Sequence, residues 1–112
     1  MDAFTDSNMI DLDDVDKYKD WSLRMKTKLK REQLWDIVEG TDEPPESNND
    51  YATFMAWSKK NDTALKVIRD SCINAMEYAI TNISSAKIAW DTLAGICALP
   101  ESKLHRYLYI SL

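Results

Sequence analysis

The residues that most often carry acid–base or nucleophilic chemistry are scarce in this sequence. His105 is the only histidine, and its place among amphipathic residues near the end makes it a poor candidate for a catalytic base. Gly40 and Gly95 are the only glycines, so neither a phosphate-binding loop nor a dinucleotide fingerprint can be built. We therefore expect no enzyme activity, no cofactor and no small-molecule substrate.

Metal binding is not predicted either. The acidic run at 11–16 superficially resembles an ion-binding loop, but it lacks the central glycine and the final glutamate that complete a calcium site. Cys72 and Cys97 lie 25 positions apart, a spacing that matches no metal-binding pair. In a reducing compartment, two such cysteines are expected to be buried, small apolar side chains.

Nucleic-acid binding would depend on the single basic cluster of the chain. The cluster comprises Arg24, Lys26, Lys28, Lys30 and Arg31. These side chains could contact phosphates while Trp21 offers a stacking surface. Alternate residues of a helix point in different directions, however, so a solvated helix face is the favoured interpretation. The formal net charge of −5 also disfavours binding to polyanions.

Length and composition predict one folded domain. Of the 112 residues, 45% are hydrophobic, which is too much apolar surface for a disordered segment. Only two glycines and three prolines occur, and strand signals are weak. We expect an all-α fold, a compact bundle of five or six helices over 13–112, preceded by a flexible acidic arm at 1–12. The start resembles no secretory signal, and no stretch could span a bilayer, so we expect a cytoplasmic or nuclear location without a membrane partner.

The amino-terminal half predicts two helices. The first should begin near Asp13 or Asp14, either of which can cap it. Its buried stripe is expected to comprise Val15, Tyr18, Trp21, Met25 and Leu29. The apolar cluster at 34–38 predicts one or two further helical turns, ended by Gly40 in the left-handed conformation. The polar stretch 41–50 contains two prolines and predicts an exposed loop.

The middle of the chain predicts a long helix and a short one. The long helix should be capped by Ser47 or Asn49 and run to Cys72. Asn61 occupies one place on its apolar stripe, and the helix could bend there. A shorter, separate helix is expected over 73–80.

The remaining sequence predicts two helices. Ser84 or Ser85 should cap the first of them. Its inner face is expected to comprise Ala86, Ala89, Trp90, Leu93 and Cys97. The last helix should begin at Pro100 and carry Leu104, Tyr107 and Leu108. Core packing is the expected role of Trp21, Trp35 and Trp90.

Residues from several of these helical stripes also form one longer sequence pattern. Its first part comprises Tyr18, Trp21, Met25, Leu29, Leu34, Trp35, Val38 and Gly40. After a variable loop it continues with Trp57, Ala64 and Ile68, and then with an Ala-Lys-x-x-Trp-Asp-x-Leu block that contains Ala86, Lys87, Ala89, Trp90, Asp91 and Leu93. In order and spacing, this pattern resembles the Gag polypeptides of copia-type LTR retrotransposons and their plant relatives, over roughly residues 12–112.

The resemblance implies the amino-terminal half of a retroelement capsid protein, an all-helical domain that assembles into shells around the element's RNA. Two departures weaken it locally. The glycine often found shortly before the Tyr is replaced by LDDVDK, and the aromatic residue usual after the last block is replaced around Cys97 and Ala98. The zinc knuckle, second capsid half, protease and polymerase of the full polyprotein are absent from this sequence, so their chemistry is not assigned to it.

Three functional hypotheses follow. The leading one is a capsid-type self-association domain, whose partner is another copy of itself. The alternative is a domesticated Gag-like domain that serves a host protein as an interaction adaptor. The least favoured is RNA binding through the basic segment 24–31.

Overall fold

Five α-helices are formed by residues 17–46 and 50–98, which are the residues that the computed structural model describes. They are α1 (Tyr18–Arg31), α2 (Trp35–Glu39), α3 (Tyr51–Asp70), α4 (Asn74–Ile80) and α5 (Ala86–Cys97). These described residues contain no strand, so the predicted all-α fold is confirmed. The predicted acidic arm at 1–12 and the predicted last helix from Pro100 lie outside the described residues.

The first helix buries one stripe, as its spacing predicts. Trp21, Met25 and Leu29 are its buried residues, and they recur at intervals of four. The helix begins at Tyr18, after Lys17, which makes no side-chain capping bond. The predicted caps at 13–14 lie outside the described residues.

Gly40 ends α2 as predicted, and a lysine from α5 lies across it. Its φ of 99° is in the left-handed region, which a residue without a Cβ adopts at little cost. A Cβ added there would lie 2.6 Å from Cε of Lys87. Glycine therefore supplies both the turn and the space for the Lys87 stem.

The predicted cap of α3 is wrong. The cap is Asp50, whose carboxylate accepts hydrogen bonds from the backbone N–H of Ala52 at 3.1 Å and the hydroxyl of Thr53 at 2.6 Å. The bond from Thr53, followed by that from Ala52, lowers the pKa of the Asp50 carboxyl. An ionised carboxylate next to the first helical residue is a better acceptor than the predicted Ser47 or Asn49.

The short helix α4 and the start of α5 follow the prediction closely. Asn74 begins α4 with a φ of 53°, a conformation that asparagine tolerates better than most residues. Ser85 caps α5 by accepting a hydrogen bond from the N–H of Ile88 at 3.2 Å. Of the predicted inner face, Trp90 and Cys97 are only half-buried, whereas Ile96 is buried and was not predicted.

The core sits around α5, which packs against α2, α3 and α4. The buried residues of α5 are Ala86, Ala89, Leu93 and Ile96, and they recur at intervals of three and four, so Ile96 lies on the same stripe as the other three. The core comprises Trp21, Met25, Leu29, Leu34, Ile37, Val38, Ala64, Leu65, Ile68, Cys72, Ala75, Met76, Ile80, Ala86, Ala89, Leu93 and Ile96.

The two cysteines are unpaired, and both are held as thiols. Burial raises the pKa of the Cys72 thiol to about 12 and that of the Cys97 thiol to about 11. Neither therefore supplies a thiolate near neutral pH. The interpretation of Cys72 as a buried apolar side chain is confirmed, whereas Cys97 is only half-buried.

Candidate interaction surfaces

Four aromatic rings join α1, α2 and α5. Trp21 is 4% exposed and stacks on Trp90, with ring centroids 5.4 Å apart and an interplanar angle of 21°. Tyr18 lies 5.6 Å from Trp21, and Trp35 meets Trp90 edge-on at 5.3 Å. We call these four residues the aromatic junction. Its contact geometries are those that aromatic pairs favour, so its main role is to hold three helices together.

The aromatic junction also contains an unsatisfied polar atom. The indole Nε1 of Trp21 is buried and has no hydrogen-bond partner. Burial, followed by the proximity of Cys97 and Asp91, raises the pKa of the nearby Tyr18 hydroxyl. Core packing is confirmed for Trp21, whereas Trp35 and Trp90 keep part of their surface in solvent.

The Ala-Lys-x-x-Trp-Asp-x-Leu block has a structural role at most of its positions. Ala86 and Leu93 are buried, and Trp90 belongs to the aromatic junction. Nζ of Lys87 lies 2.6 Å from the carboxylate of Asp91, one helical turn away. This pair is exposed and contributes little by itself, but it can help to hold the Lys87 stem across Gly40.

The part of the pattern that falls on α3 is divided between the core and a loop. Ala64 and Ile68 are fully buried. Trp57 is half-buried, and its Nε1 donates a hydrogen bond to the backbone carbonyl of Asp42 at 3.0 Å. Trp57 thus holds the loop before α3 against the helix. Its position on the apolar stripe of α3 does not predict this hydrogen bond.

Asn61 forms a polar connection between α3 and α5 that sequence reasoning missed. It is 6% exposed, its Nδ2 donates to the carbonyl of Ser84 at 2.8 Å, and its Oδ1 accepts from the N–H of Ala86 at 2.9 Å. α3 continues through Asn61 without interruption. The sequence offered one signal for this connection, because Asn61 is a polar residue on the apolar stripe of α3. The prediction interpreted that residue as a place where the helix could bend.

The predicted basic cluster is divided between two sides of α1. At about 100° per residue, each side lies roughly 100° from the buried stripe, in opposite directions. We call them the Arg24 flank, which comprises Lys17, Arg24, Lys28 and Arg31, and the Lys26 flank, which comprises Lys19, Lys26 and Lys30. The expectation that the cluster is spread around the helix agrees with this placement.

The two flanks have different surroundings. On the Lys26 flank, Nζ of Lys26 lies 5.1 Å from the ring centroid of Trp35, and Lys30 borders a groove shared with Asp36. On the Arg24 flank, Arg24 pairs with Asp20 at 2.8 Å. An open groove of about 330 Å³ runs along that flank, lined by Leu23, Arg24, Thr27 and Arg31.

Large apolar side chains are exposed on four of the five helices. Their exposed fractions range from 45% to 74%, and they are Leu23 on α1, Tyr51 and Met55 on α3, Tyr78 on α4 and Ile88 on α5. Tyr51 and Met55 are four residues apart and therefore share one face of α3. On α5, Ile88 shares an outer face with Gly95, beside which a Cβ would meet no atom within 4 Å.

Two further properties concern only the described part of the chain. No group of three or more His, Cys, Asp or Glu residues there could hold a metal ion. None of the described helices has the length and apolarity that a membrane span requires.

Comparison with known proteins gives one partial match. Residues 12–39 match a family described as a domain of unknown function (DUF4219), which is found in plant retrotransposon Gag-like proteins. The match includes α1 and α2, and with them the Tyr18 to Val38 part of the pattern described above. No curated protein and no solved structure shows significant similarity to the chain.

Proposed function

We propose that this chain is a non-catalytic self-association domain of the capsid type, as in copia-type Gag polypeptides or in a host gene derived from one. The partial match at 12–39 supports a Gag-like origin. The all-α bundle and the chain-long apolar pattern are consistent with the same interpretation.

The observation that carries the proposal is the distribution of exposed apolar side chains over several helices. An assembly that grows needs at least two different contact surfaces on every copy, whereas an adaptor for one host protein needs only one. We assign these two roles to the Tyr51–Met55 face of α3 and to the Ile88 face of α5, because both expose large apolar side chains. Each is small, so each contact would be weak, and the strength of an assembly would come from their number.

Sedimentation velocity tests the proposal. For the wild-type chain between about 10 µM and 1 mM, we expect the weight-average sedimentation coefficient to rise with concentration. Replacing Tyr51 and Met55 by serine, or Ile88 by serine, should each weaken association about tenfold, because roughly 1.4 kcal/mol of apolar burial is lost per contact. The variant that combines both changes should remain monomeric.

The control is Thr63→Ser, an exposed polar change on α3 that leaves both apolar faces intact. It should associate like the wild type. A wild-type chain that stays strictly monomeric at about 1 mM would contradict self-association. If such a monomer also bound one host protein at fixed stoichiometry, the adaptor hypothesis would replace it.

A second candidate function is RNA binding, which the charge of α1 favours. Lys17 and α1 together carry seven basic residues and only one acidic residue, Asp20, a net charge of +6. Reversing the charge at Lys26 and Lys28 should weaken RNA affinity and make it less dependent on salt. Unchanged affinity would contradict RNA binding through this segment.

A further inference from the structure

The groove beside Trp57 is apolar inside and acidic along one side. It has a volume of about 280 Å³ and lies between α3 and the loop before that helix. Ala56 and Trp57 on α3 and Pro45 on the loop supply its apolar lining, while Asp42 and Glu43 supply its acidic side. We call it the Trp57 groove. An apolar cleft beside two carboxylates favours an apolar side chain that has a basic neighbour.

The acidic side of the groove belongs to a longer acidic segment. Residues 32–46 contain six acidic residues and neither Lys nor Arg. The ion pairs between described residues lie within α1, α3 and α5, and none of them uses a carboxylate of this segment. Lys60, on the α3 side, is the one basic residue that lines the groove. The segment therefore attracts a basic surface and repels a second copy of itself.

The outer side of α1 has the complementary pattern. Lys19, Leu23, Thr27 and Arg31 follow one another at intervals of four and are all exposed, Leu23 by 57%. Residues four apart form a ridge on a helix, and at about 100° per residue this ridge lies opposite the buried stripe of α1. Neither Lys19 nor Arg31 forms an ion pair with another described residue. We call these four residues the Leu23 ridge, an exposed leucine between two basic ends.

We propose that the Leu23 ridge of one copy docks in the Trp57 groove of a second copy. Leu23 enters the groove, and Lys19, one turn away at about 6 Å along the helix axis, faces Asp42 and Glu43. The occupant is a second copy because ridge and groove carry opposite charges, whereas each repels its own kind. Two different surfaces meet, so the contact is heterologous and can repeat from copy to copy.

This contact deepens the proposed function and rests on it, since both require copies of the chain to associate. It uses neither the Tyr51–Met55 face nor the Ile88 face, and it responds differently to salt. Exposed charges attract strongly at about 20 mM salt and are largely screened at about 0.15 M, whereas apolar contacts change little. At about 0.15 M salt, a chain without both apolar faces is therefore still expected to be monomeric.

Sedimentation velocity at about 20 mM salt tests the contact with two charge-reversed variants. The ridge variant carries Lys19→Glu and Arg31→Glu, and the groove variant carries Asp42→Lys and Glu43→Lys. Each should associate roughly tenfold more weakly than the wild type, because its ridge and its groove then carry like charges. An equimolar mixture of the two variants, or one chain with all four changes, should recover association to within about threefold of the wild type.

Two further variants separate docking from the effect of overall charge. Asp70→Lys with Glu77→Lys is the matched control, because it changes the formal charge from −5 to −1, as the groove variant does, at exposed sites outside both surfaces. It should associate like the wild type. Leu23→Ser alters no charge and should weaken association about tenfold, because the groove loses its apolar occupant.

The outcomes distinguish this contact from the apolar faces. A chain with all four changes that associates as weakly as the single variants, or a matched control that loses as much as the groove variant, would overturn the contact. Association at about 0.15 M salt that neither reversal alters, with no gain at about 20 mM, would overturn the contact and retain the apolar faces. Association only at about 20 mM, lost in both variants and recovered in their mixture, would support the contact and overturn the apolar faces.

Discussion

The two sides of α5 are held by different kinds of contact. Toward α1 and α2, the indole of Trp90 stacks on Trp21 and meets the edge of Trp35. Toward α3, the side chain of Asn61 holds the start of α5 by donating a hydrogen bond to the carbonyl of Ser84 and accepting one from the N–H of Ala86. The aromatic side gains stability from buried ring area, whereas the Asn61 side depends on two polar groups that are costly if left unpaired.

The two kinds of contact constrain the position of α5 to different degrees. A stack of rings tolerates small shifts, because its energy varies gradually with area and offset. A buried amide that bonds both a carbonyl and an N–H fixes the start of α5 to a single register, since sliding by one residue would break both bonds. The aromatic junction therefore contributes more to the stability of the packing of α5, whereas Asn61 contributes more to its register.

The largest expected effect comes from emptying the aromatic junction. Trp21→Ala should lower the free energy of unfolding by about 3–5 kcal/mol, because it leaves a cavity between α1 and α5. Trp21→Phe should cost less than about 1.5 kcal/mol, since it keeps a ring and removes the unsatisfied Nε1. Urea unfolding measures both values. Equal losses in the two variants would show that a phenyl ring does not restore the packing and that the junction requires the full area of the indole.

A smaller loss is expected on the other side of α5. Asn61→Leu keeps the side-chain volume but leaves the Ala86 N–H and the Ser84 carbonyl without their partners, which should cost about 2–3 kcal/mol in urea unfolding. The exposed neighbour Asp62 provides the control, and Asp62→Ala should change stability by less than about 0.5 kcal/mol. If Asn61→Leu were as stable as the wild type, the hydrogen bonds of Asn61 would contribute nothing measurable to the position of α5.

The smallest effect concerns pH and the two thiols. The pKa of Cys72 is raised in the folded chain from about 9 to about 12, so folding favours the protonated thiol. Its contribution is complete below pH 9 and is lost as the pH rises from 9 to 12, by about 1.4 kcal/mol at pH 10. Cys97, near Tyr18, is more accessible to solvent and has the smaller rise in pKa, so it should contribute less to the alkaline loss of stability.

Unfolding in urea at pH 8 and pH 10 tests this effect. Cys72→Ala should reduce the alkaline loss of stability more than Cys97→Ala does, whatever each substitution costs at pH 8. A larger reduction in Cys97→Ala would mean that the aromatic side, and not the α3 side, contains the better protected thiol.

Most of the apolar framework could be predicted from the sequence, because burial follows helical periodicity. The stripe of α1 and the closing glycine of α2 each have a local signal, a spacing of four or a residue without a Cβ. The cap of α3 was mispredicted, because several neighbouring polar residues can cap a helix and only the backbone selects Asp50. Ile96 follows Leu93 at helical spacing, so its burial had a local signal, which the assignment of Cys97 to the inner face missed.

The candidate surfaces could be predicted only in part. The composition of the basic cluster was evident, and helical geometry indicated its spread. The contact of Lys26 with Trp35 and the pairing of Asn61 with Ser84 join residues that are far apart in the chain or in different helices. Such tertiary contacts depend on helix packing, for which one sequence offers no local signal.

The stack of Trp21 on Trp90 has a spectroscopic consequence. Two indoles held 5.4 Å apart at a fixed angle form an excitonic pair, so they should produce a far-ultraviolet circular dichroism couplet on top of the helical spectrum. The couplet depends on α1 remaining against α5 of the same chain or of a neighbour that has exchanged helices. If the couplet persisted when copies of the chain associate, this packing of α1 against α5 would be kept in the assembly, whereas its loss would show that the two helices separate.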